Sequence, residues 1–285
     1  MNTEKIAILV DSGTDVPKEY IQRYKMYVAP LKIIFSDQEY TDGVDVTPEL
    51  LYERFETEIP KTSLPTGEDI AALFDQIQSD GYEKVLAIAI SSGLSGTYNV
   101  IDLIGRQYAG LEVHAVDTRN ISIGSGMIAI QAAEDIASGM SWEEVVRTTD
   151  QRVDNSKVFF CVKTLDYLQK GGRIGLVSSI LGNALNLKPI ISCNDDGIYY
   201  VAAKVRGRKQ SLQKALELAC TFAKDHRRYA VALMHSAAAE EAEVLRQELL
   251  KRLPEPALFI TGQISPTLVV HTGPGLIGIG VHVLD

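Results

Sequence analysis

Val85-Leu86-Ala87-Ile88-Ala89-Ile90 runs directly into Ser91-Ser92-Gly93-Leu94-Ser95-Gly96-Thr97. Six apolar residues in succession, bounded by a Ser/Gly loop, read as a strand buried on both faces. A helical pattern follows, from about Ser95 to Tyr108. The loop therefore lies where a buried strand hands over to a helix, at the carboxyl end of a parallel sheet. Open α/β sheets bind their ligands at that end. The loop offers hydroxyls, glycine amides and helix N-terminal N–H groups, which hold an anion without supplying a counter-charge.

The same alternation extends on both sides of this unit. Lys5 to Val10 and Tyr27 to Phe35 read as strands, separated by a turn at Asp11–Asp15 and a helix led by Pro17. Thr47 caps a helix through Glu56. Another begins at Thr66 or Gly67 and reaches about Ser79. After the 84–90 strand and the 95–108 helix come a strand at 111–117 and a helix at 122–138. Ser141 and Glu144 form a capping box for a helix ending near Asn155. Strands alternating with helices imply βαβ units and a parallel sheet. Beyond Asn155 the pattern changes. Val158–Val162 is a strand. Leu187–Ser192 and Ile198–Val205 form a hairpin around Asn194-Asp195-Asp196-Gly197. Helices at 208–225 and 239–252 flank a strand at 229–235, and 257–261, 267–271 and 276–284 read as strands. The expectation is an α/β protein of two closely packed domains. Residues 1–155 form a three-layer domain with a parallel sheet, and 156–285 an α+β domain with a mainly antiparallel sheet. The cleft between them is the natural ligand site.

The 285 residues carry a net charge of −9, which disfavours nucleic acid or an anionic membrane as a whole-surface partner. No apolar stretch reaches the ~18 residues of a membrane span, and the start lacks a signal-peptide pattern. The three cysteines, Cys161, Cys193 and Cys220, form no CxxC motif and read as buried thiols, which fits a cytoplasmic protein.

Motifs of catalysis are matched only in part. Gly93-Leu94-Ser95-Gly96-Thr97 departs from the nucleophile elbow at its last position, which needs glycine. Gly273-Pro274-Gly275-Leu276-Ile277-Gly278 spells a dinucleotide motif. Only seven residues follow it in this sequence, too few for the helix and strand it requires. There is no P-loop, and the five histidines show no metal spacing. Asp11 with Asp15, and Asp42 with Asp45, read as turn and cap residues rather than metal ligands. What remains is polar recognition equipment in three places: Lys61-Thr62-Ser63-Leu64-Pro65-Thr66, the Ser91–Thr97 loop, and His271-Thr272-Gly273-Pro274-Gly275. A Ser or Thr before a helix is by itself a cap. Three such segments together point to one shared site, and the glycines beside His271 allow a ligand close to the backbone.

At these residues the sequence resembles the DegV family, the fatty-acid-binding proteins that carry the acyl group for bacterial fatty acid kinase. The resemblance covers about residues 5–284. It is carried by the order of Val10-Asp11-Ser12-Gly13-Thr14-Asp15, Tyr40-Thr41-Asp42-Gly43-Val44-Asp45, Lys61-Thr62-Ser63-Leu64-Pro65 and the SSGLSGTY run ending at Tyr98. Leu168-Gln169-Lys170-Gly171-Gly172-Arg173-Ile174, Leu187-Lys188-Pro189-Ile190, Lys204-Val205-Arg206 and His271-Thr272-Gly273-Pro274-Gly275 complete it. The resemblance implies a DegV-like two-domain fold enclosing one long-chain, palmitate-like fatty acid, with no cofactor and no metal. It places the carboxylate on Thr62, Ser63, His271 and a loop serine, Ser95 in first place and Ser92 in second. The family commonly has Gln and Ser where this chain has Leu64 and Thr66, so the pocket entrance departs from its pattern. Tail-lining residues are not separable from ordinary core: Ile123, Ile128, Phe159 and Ile180 all read as core.

The resemblance further implies a non-catalytic role. The bound acid is phosphorylated by a separate kinase subunit, and the acyl phosphate enters phospholipid synthesis. Lys204, Arg206, Arg208 and Lys209 form a basic cluster in an acidic chain, either a solvated face or a docking patch for that partner. Arg173 is a second docking candidate. Two alternatives stay open: a lipid hydrolase or acyltransferase using Ser95 or Ser92 with His271, and a lipid-responsive regulatory protein. No DNA-binding motif is present.

Overall fold

The computed structural model describes residues 2–180 and 187–285, the side chain of Ile180 apart. The first half runs β1 (Ile6–Asp11), α1 (Lys18–Tyr24), β2 (Tyr27–Ala29), β3 (Lys32–Ile34), β4 (Glu39–Thr41), α2 (Pro48–Arg54) and β5 (Lys61–Ser63). It continues with α3 (Gly67–Ser79), β6 (Lys84–Ala89), α4 (Thr97–Gln107), β7 (Glu112–Asp117), α5 (Ile123–Ala137) and α6 (Trp142–Arg152). The second half runs β8 (Ser156–Cys161), α7 (Asp166–Lys170), β9 (Leu187–Cys193), β10 (Tyr199–Arg206), α8 (Arg208–Ala223) and β11 (Tyr229–His235). It ends with α9 (Ala239–Arg252), β12 (Leu258–Gln263), α10 (Pro266–Thr272) and β13 (Ile277–Val283).

The described residues form three sheets. A four-stranded sheet, β2-β1-β6-β7, is parallel throughout. A six-stranded sheet, β10-β9-β8-β13-β11-β12, is antiparallel except for its β11–β12 pair. A small antiparallel sheet, β4-β3-β5, completes the set. This is the α/β architecture expected, with a parallel first sheet and a mainly antiparallel second one.

Side-chain alternation along β6 shows how the layers stack. Val85, Ala87 and Ala89 pack with Ile70, Phe74 and Ile77 of α3 and Ile101 of α4. Leu86, Ile88 and Ile90 face the opposite way, into a cluster shared with α5 and with Val158 and Phe160 of β8. Successive strand residues point to opposite faces, so a continuous apolar run is needed to fill both. The alternate residues of the six-stranded sheet, Phe159, Cys161, Ile277, Ile279 and Val281, pack under α8 and α9. The order is therefore helices, parallel sheet, α5, mixed sheet, helices. Between two sheets α5 has no polar face to keep, and twelve of its fifteen residues are buried.

Several elements depart from the sequence reading. The strand expected over Tyr27–Phe35 is broken at Pro30, which has no N–H to donate to a ladder. Its first half joins the parallel sheet, and its second half, β3, belongs to the small one. The strand expected at 267–271 is the helix α10.

Candidate ligand-binding site

The small sheet exists because Lys61-Thr62-Ser63 pairs with β3, Thr62 opposite Ile33 and Ser63 opposite Lys32. That pairing turns a stretch read as a loop into a strand, and it presents Thr62, Ser63 and the following Leu64 to an internal cavity. Ser95 lies just before α4, where its Oγ is 2.8 Å from Thr97 Oγ1 and accepts the Thr97 N–H at 3.3 Å. His271 sits in the last turn of α10, with Nε2 2.8 Å from Thr62 Oγ1. Residues from three distant parts of the chain thus meet at one end of the cavity.

α10 is anchored from its other end. Pro266 occupies its first turn, and the Ser265 side chain makes no cap bond. The Ser265 N–H instead donates to Asp15 Oδ1 at 2.9 Å, and the Thr267 N–H reaches Asp42 Oδ1 at 3.4 Å. The orphan amides of a helix start need such acceptors. Asp42 also accepts from Ser12 Oγ at 2.7 Å, and Asp15 accepts from Ser122 Oγ. Asp11 takes the Gly13 and Ile90 N–H groups. These carboxylates, Asp11 and Asp42 buried and Asp15 partly so, act as acceptors for backbone and hydroxyl groups. Burial raises Asp42 above the usual carboxylate range and pushes Asp11 and Asp15 up to about 7.

The polar end combines uncharged groups with one cation, Arg173. His271 is buried, and desolvation first, then the positive charge of Arg173, lower its pKa to about 3. Among the described residues its Nδ1 has no hydrogen-bond partner, and it lies against Gly171, where an added Cβ would stand 2.3 Å away. Gly273, with φ of +69°, similarly passes under the Tyr167 ring, 2.3 Å from where a Cβ would be. Arg173 lines the same end, its Nη1 donating to the Gly171 carbonyl at 2.9 Å and Nε to the Leu94 carbonyl at 3.3 Å.

The body of the cavity is apolar. Ile90, Leu94, Ile123, Val158, Phe160, Met234 and Leu268 line it, between the parallel and mixed sheets. Its volume is about 170 Å³, against the ~10–15 Å³ that a single water needs.

Of the residues singled out in the sequence, Thr62, Ser63, Ser95 and His271 all line the cavity. Ser92 does not. Its N–H and Oγ both bond the Asp117 carboxylate, at 3.1 and 2.5 Å, which ties the loop to β7. Ser91 is committed elsewhere as well, donating to the Gly197 carbonyl at 2.8 Å across to the β9–β10 turn. Arg173, expected on a docking surface, is at the cavity wall. Arg208 is held by Glu241 and by the carbonyls of Cys161 and Gly275. Arg206 is exposed on β10, an edge strand. Among the tail candidates, Ile123 lines the cavity. Phe159 points into the α8–α9 cluster, leaving the wall to its neighbour Phe160. Ile128 is buried in the central cluster, and the side chain of Ile180 lies outside the described residues. Leu64, at the position that departs from the family pattern, lines the cavity and packs over Gly96. Thr66 forms a capping box with Asp69.

Sequence reading missed Tyr199, Met234 and the glycines Gly278 and Gly280 of β13, all on the cavity wall. The glycines carried a signal. Ile277-Gly278-Ile279-Gly280-Val281 alternates large with absent side chains, as a strand does when one face borders open space.

Fold and site together define a class: α/β proteins of two packed sheets, with an apolar cavity between them ending in hydroxyls and an imidazole. The chain belongs to the DegV family, described as "Uncharacterised protein, DegV family", which it matches over residues 5–283. A DegV domain-containing protein of Clostridium acetobutylicum is 39% identical over 277 residues, covering 97% of this chain and 98% of the relative. Among solved structures, a DegV family protein of Thermus thermophilus, described by its fatty acid binding, superposes with a TM-score of 0.92 at 30% identity, covering 100% of both chains. A stearic acid-binding protein of Eubacterium ventriosum superposes with a TM-score of 0.88 at 28% identity, covering 98% of both.

Proposed function

We propose that this protein binds one long-chain fatty acid between its two sheets and presents the carboxylate to a separate fatty acid kinase. The observation that carries the reading is an apolar cavity between the two sheets whose polar end gathers hydroxyls, an uncharged imidazole and one cation, Arg173. An acyl tail laid along the apolar body of the cavity gains ~0.8 kcal/mol for each CH₂ taken from water. The carboxylate then lies among Thr62, Ser63, Ser95 and His271, within the field of Arg173. Hydroxyls and a neutral imidazole orient a carboxylate without strongly lowering its nucleophilicity. One of its oxygens can attack the terminal phosphorus of ATP as the bond to ADP breaks, leaving an acyl phosphate for phospholipid synthesis. Solved relatives described as fatty acid binding support the first half of this reading. The kinase step, a cytoplasmic setting and a division into domains at residues 155 and 156 are parts of the same proposal.

A hydrolase would need a nucleophile paired with a base. Ser95 bonds Thr97 and His271 bonds Thr62, so these geometries favour holding a ligand over cleaving one. The deciding experiment is denaturing mass spectrometry of lipid extracted from purified protein, followed by incubation with a fatty acid kinase and ATP. One fatty acid per chain, converted to acyl phosphate while bound, is the expected result. A chain that neither carries nor takes up fatty acid would refute the reading.

A further inference from the structure

β13 is an interior strand with two glycines on one face. Glycine weakens such a strand, since it loses more backbone freedom than other residues and packs no side chain. The opposite face is conventional, with Ile277, Ile279 and Val281 buried under α8 and α9. Register places Gly278 between Phe160 of β8 and Met234 of β11, and Gly280 between Val158 and Ala232. The two glycines are not equivalent. A Cβ on Gly278 would meet Phe160 Cβ at 3.3 Å and Leu276 at 3.9 Å, and would otherwise project into the cavity. A Cβ on Gly280 would stand 3.0 Å from Met127 Cε and 3.1 Å from Ile123 Cγ2. There α5 rests directly on the strand. His271 and the turn after it lead into β13 at its Ile277 end, so Gly280 lies a further ~7 Å from the polar end than Gly278.

We propose that this segment sets the length of acyl tail the protein accepts. Gly278 keeps the floor open, and Ile123, backed by Met127 where α5 rests on Gly280, forms the far wall. The proposal rests on the fatty-acid reading above and adds its specificity determinants. Neither glycine has a positive φ, so alanine is conformationally allowed at both.

Delipidated full-length protein is offered an equimolar mixture of laurate, myristate, palmitate and stearate, and the bound acids are extracted and quantified. Gly278→Ala obstructs the floor, and the stearate-to-laurate ratio should fall about tenfold, the effect of one to two excluded methylenes. Ile123→Ala recedes the wall, and the same ratio should rise by a similar factor. His271→Ala, at the polar end, should reduce the total bound and leave the ratio unchanged. Circular dichroism establishes which variants fold, and either tail variant alone decides the question. Folded, loaded tail variants with the wild-type ratio would overturn the length assignment while leaving the carrier reading intact. Wild-type protein that takes up none of the four acids would overturn both.

Discussion

His271 is a neutral imidazole at the end of a cavity suited to an anion. Its pKa is lowered to about 3 by desolvation and by Arg173, so it enters neutral solution uncharged. The unfolded chain, with an ordinary histidine near 6.5, takes up a proton that the folded state refuses until pH is far lower. Stability from this residue is therefore complete above about pH 6.5 and declines as pH falls toward 3. Asp11 and Asp15, raised to about 7 by burial, act with the opposite sign. They bind protons in the folded state, so their contribution declines as pH rises from about 4 through 7. His271→Gln removes the acid-side loss, and lipid-free variant should gain up to about 2 kcal/mol over wild type at pH 5 relative to the difference above pH 7. Urea denaturation at the two pH values measures it. For binding, Thr62→Ala should weaken affinity for palmitate by about tenfold, the loss of one hydrogen bond to a charged acceptor, read by calorimetry. The chemistry of both residues was legible in the sequence, since hydroxyls and a glycine-flanked histidine are recognisable as types. Their contact was not, because 209 positions separate them along the chain. Ser92 and Ser95 illustrate the limit. They are identical in type and three apart, and only the position of Asp117 on a neighbouring strand decides which one is free to face the cavity.

α10 carries His271, and its placement depends on carboxylates from elsewhere in the chain. Seven residues make a short helix, too short to be stable through its own hydrogen bonds. Asp15 holds its N-terminal amide, and Asp15 itself adopts a left-handed conformation with φ of 52°. Asparagine keeps an acceptor and tolerates that conformation, whereas alanine does neither. Asp15→Ala should cost about 2 kcal/mol in denaturant stability and should release bound fatty acid faster. Asp15→Asn should retain most of both, with its deficit narrowing as pH rises and the native aspartate becomes charged. The sequence reads Leu268-Val269-Val270 as a strand because buried β-branched residues suit one. Ser265-Pro266 is a helix-start pair that this reading does not weigh against the apolar run behind it. β6 was legible for the converse reason: both of its faces are filled, and six apolar residues in succession leave little else to form. β5 escaped notice because a three-residue strand between polar neighbours has no periodicity to read.

Across the whole molecule, the parallel sheet, α5 and the mixed sheet form one stacked core around the cavity, and the kinase of the proposed reading would approach from outside it. The basic cluster where β10 hands over to α8 looked uniform in sequence, yet its members have different duties. Arg208 is three-quarters shielded, with a side-chain exposure of 23%, and joins Glu241 to two backbone carbonyls from separate strands and turns. Arg206 is exposed on an edge strand, and among the described residues it forms no ion pair. Removing a buried hydrogen-bonded guanidinium leaves acceptors unpaired, whereas removing a solvated one changes stability by less than about 0.5 kcal/mol. Arg208→Ala should therefore lower the urea midpoint by the equivalent of about 2 kcal/mol. Arg206→Ala should melt like wild type and hold the same amount of fatty acid, while acyl-phosphate formation by an added kinase falls about tenfold and the wild-type rate becomes salt-sensitive. Sequence can mark both arginines as cations, but only the neighbours that fold against them separate a structural clamp from a charge left available to a partner. Full turnover by Arg206→Ala at every ionic strength would remove this edge of the mixed sheet from the docking surface and leave Arg173, at the cavity wall, as the cation that an incoming phosphate would meet.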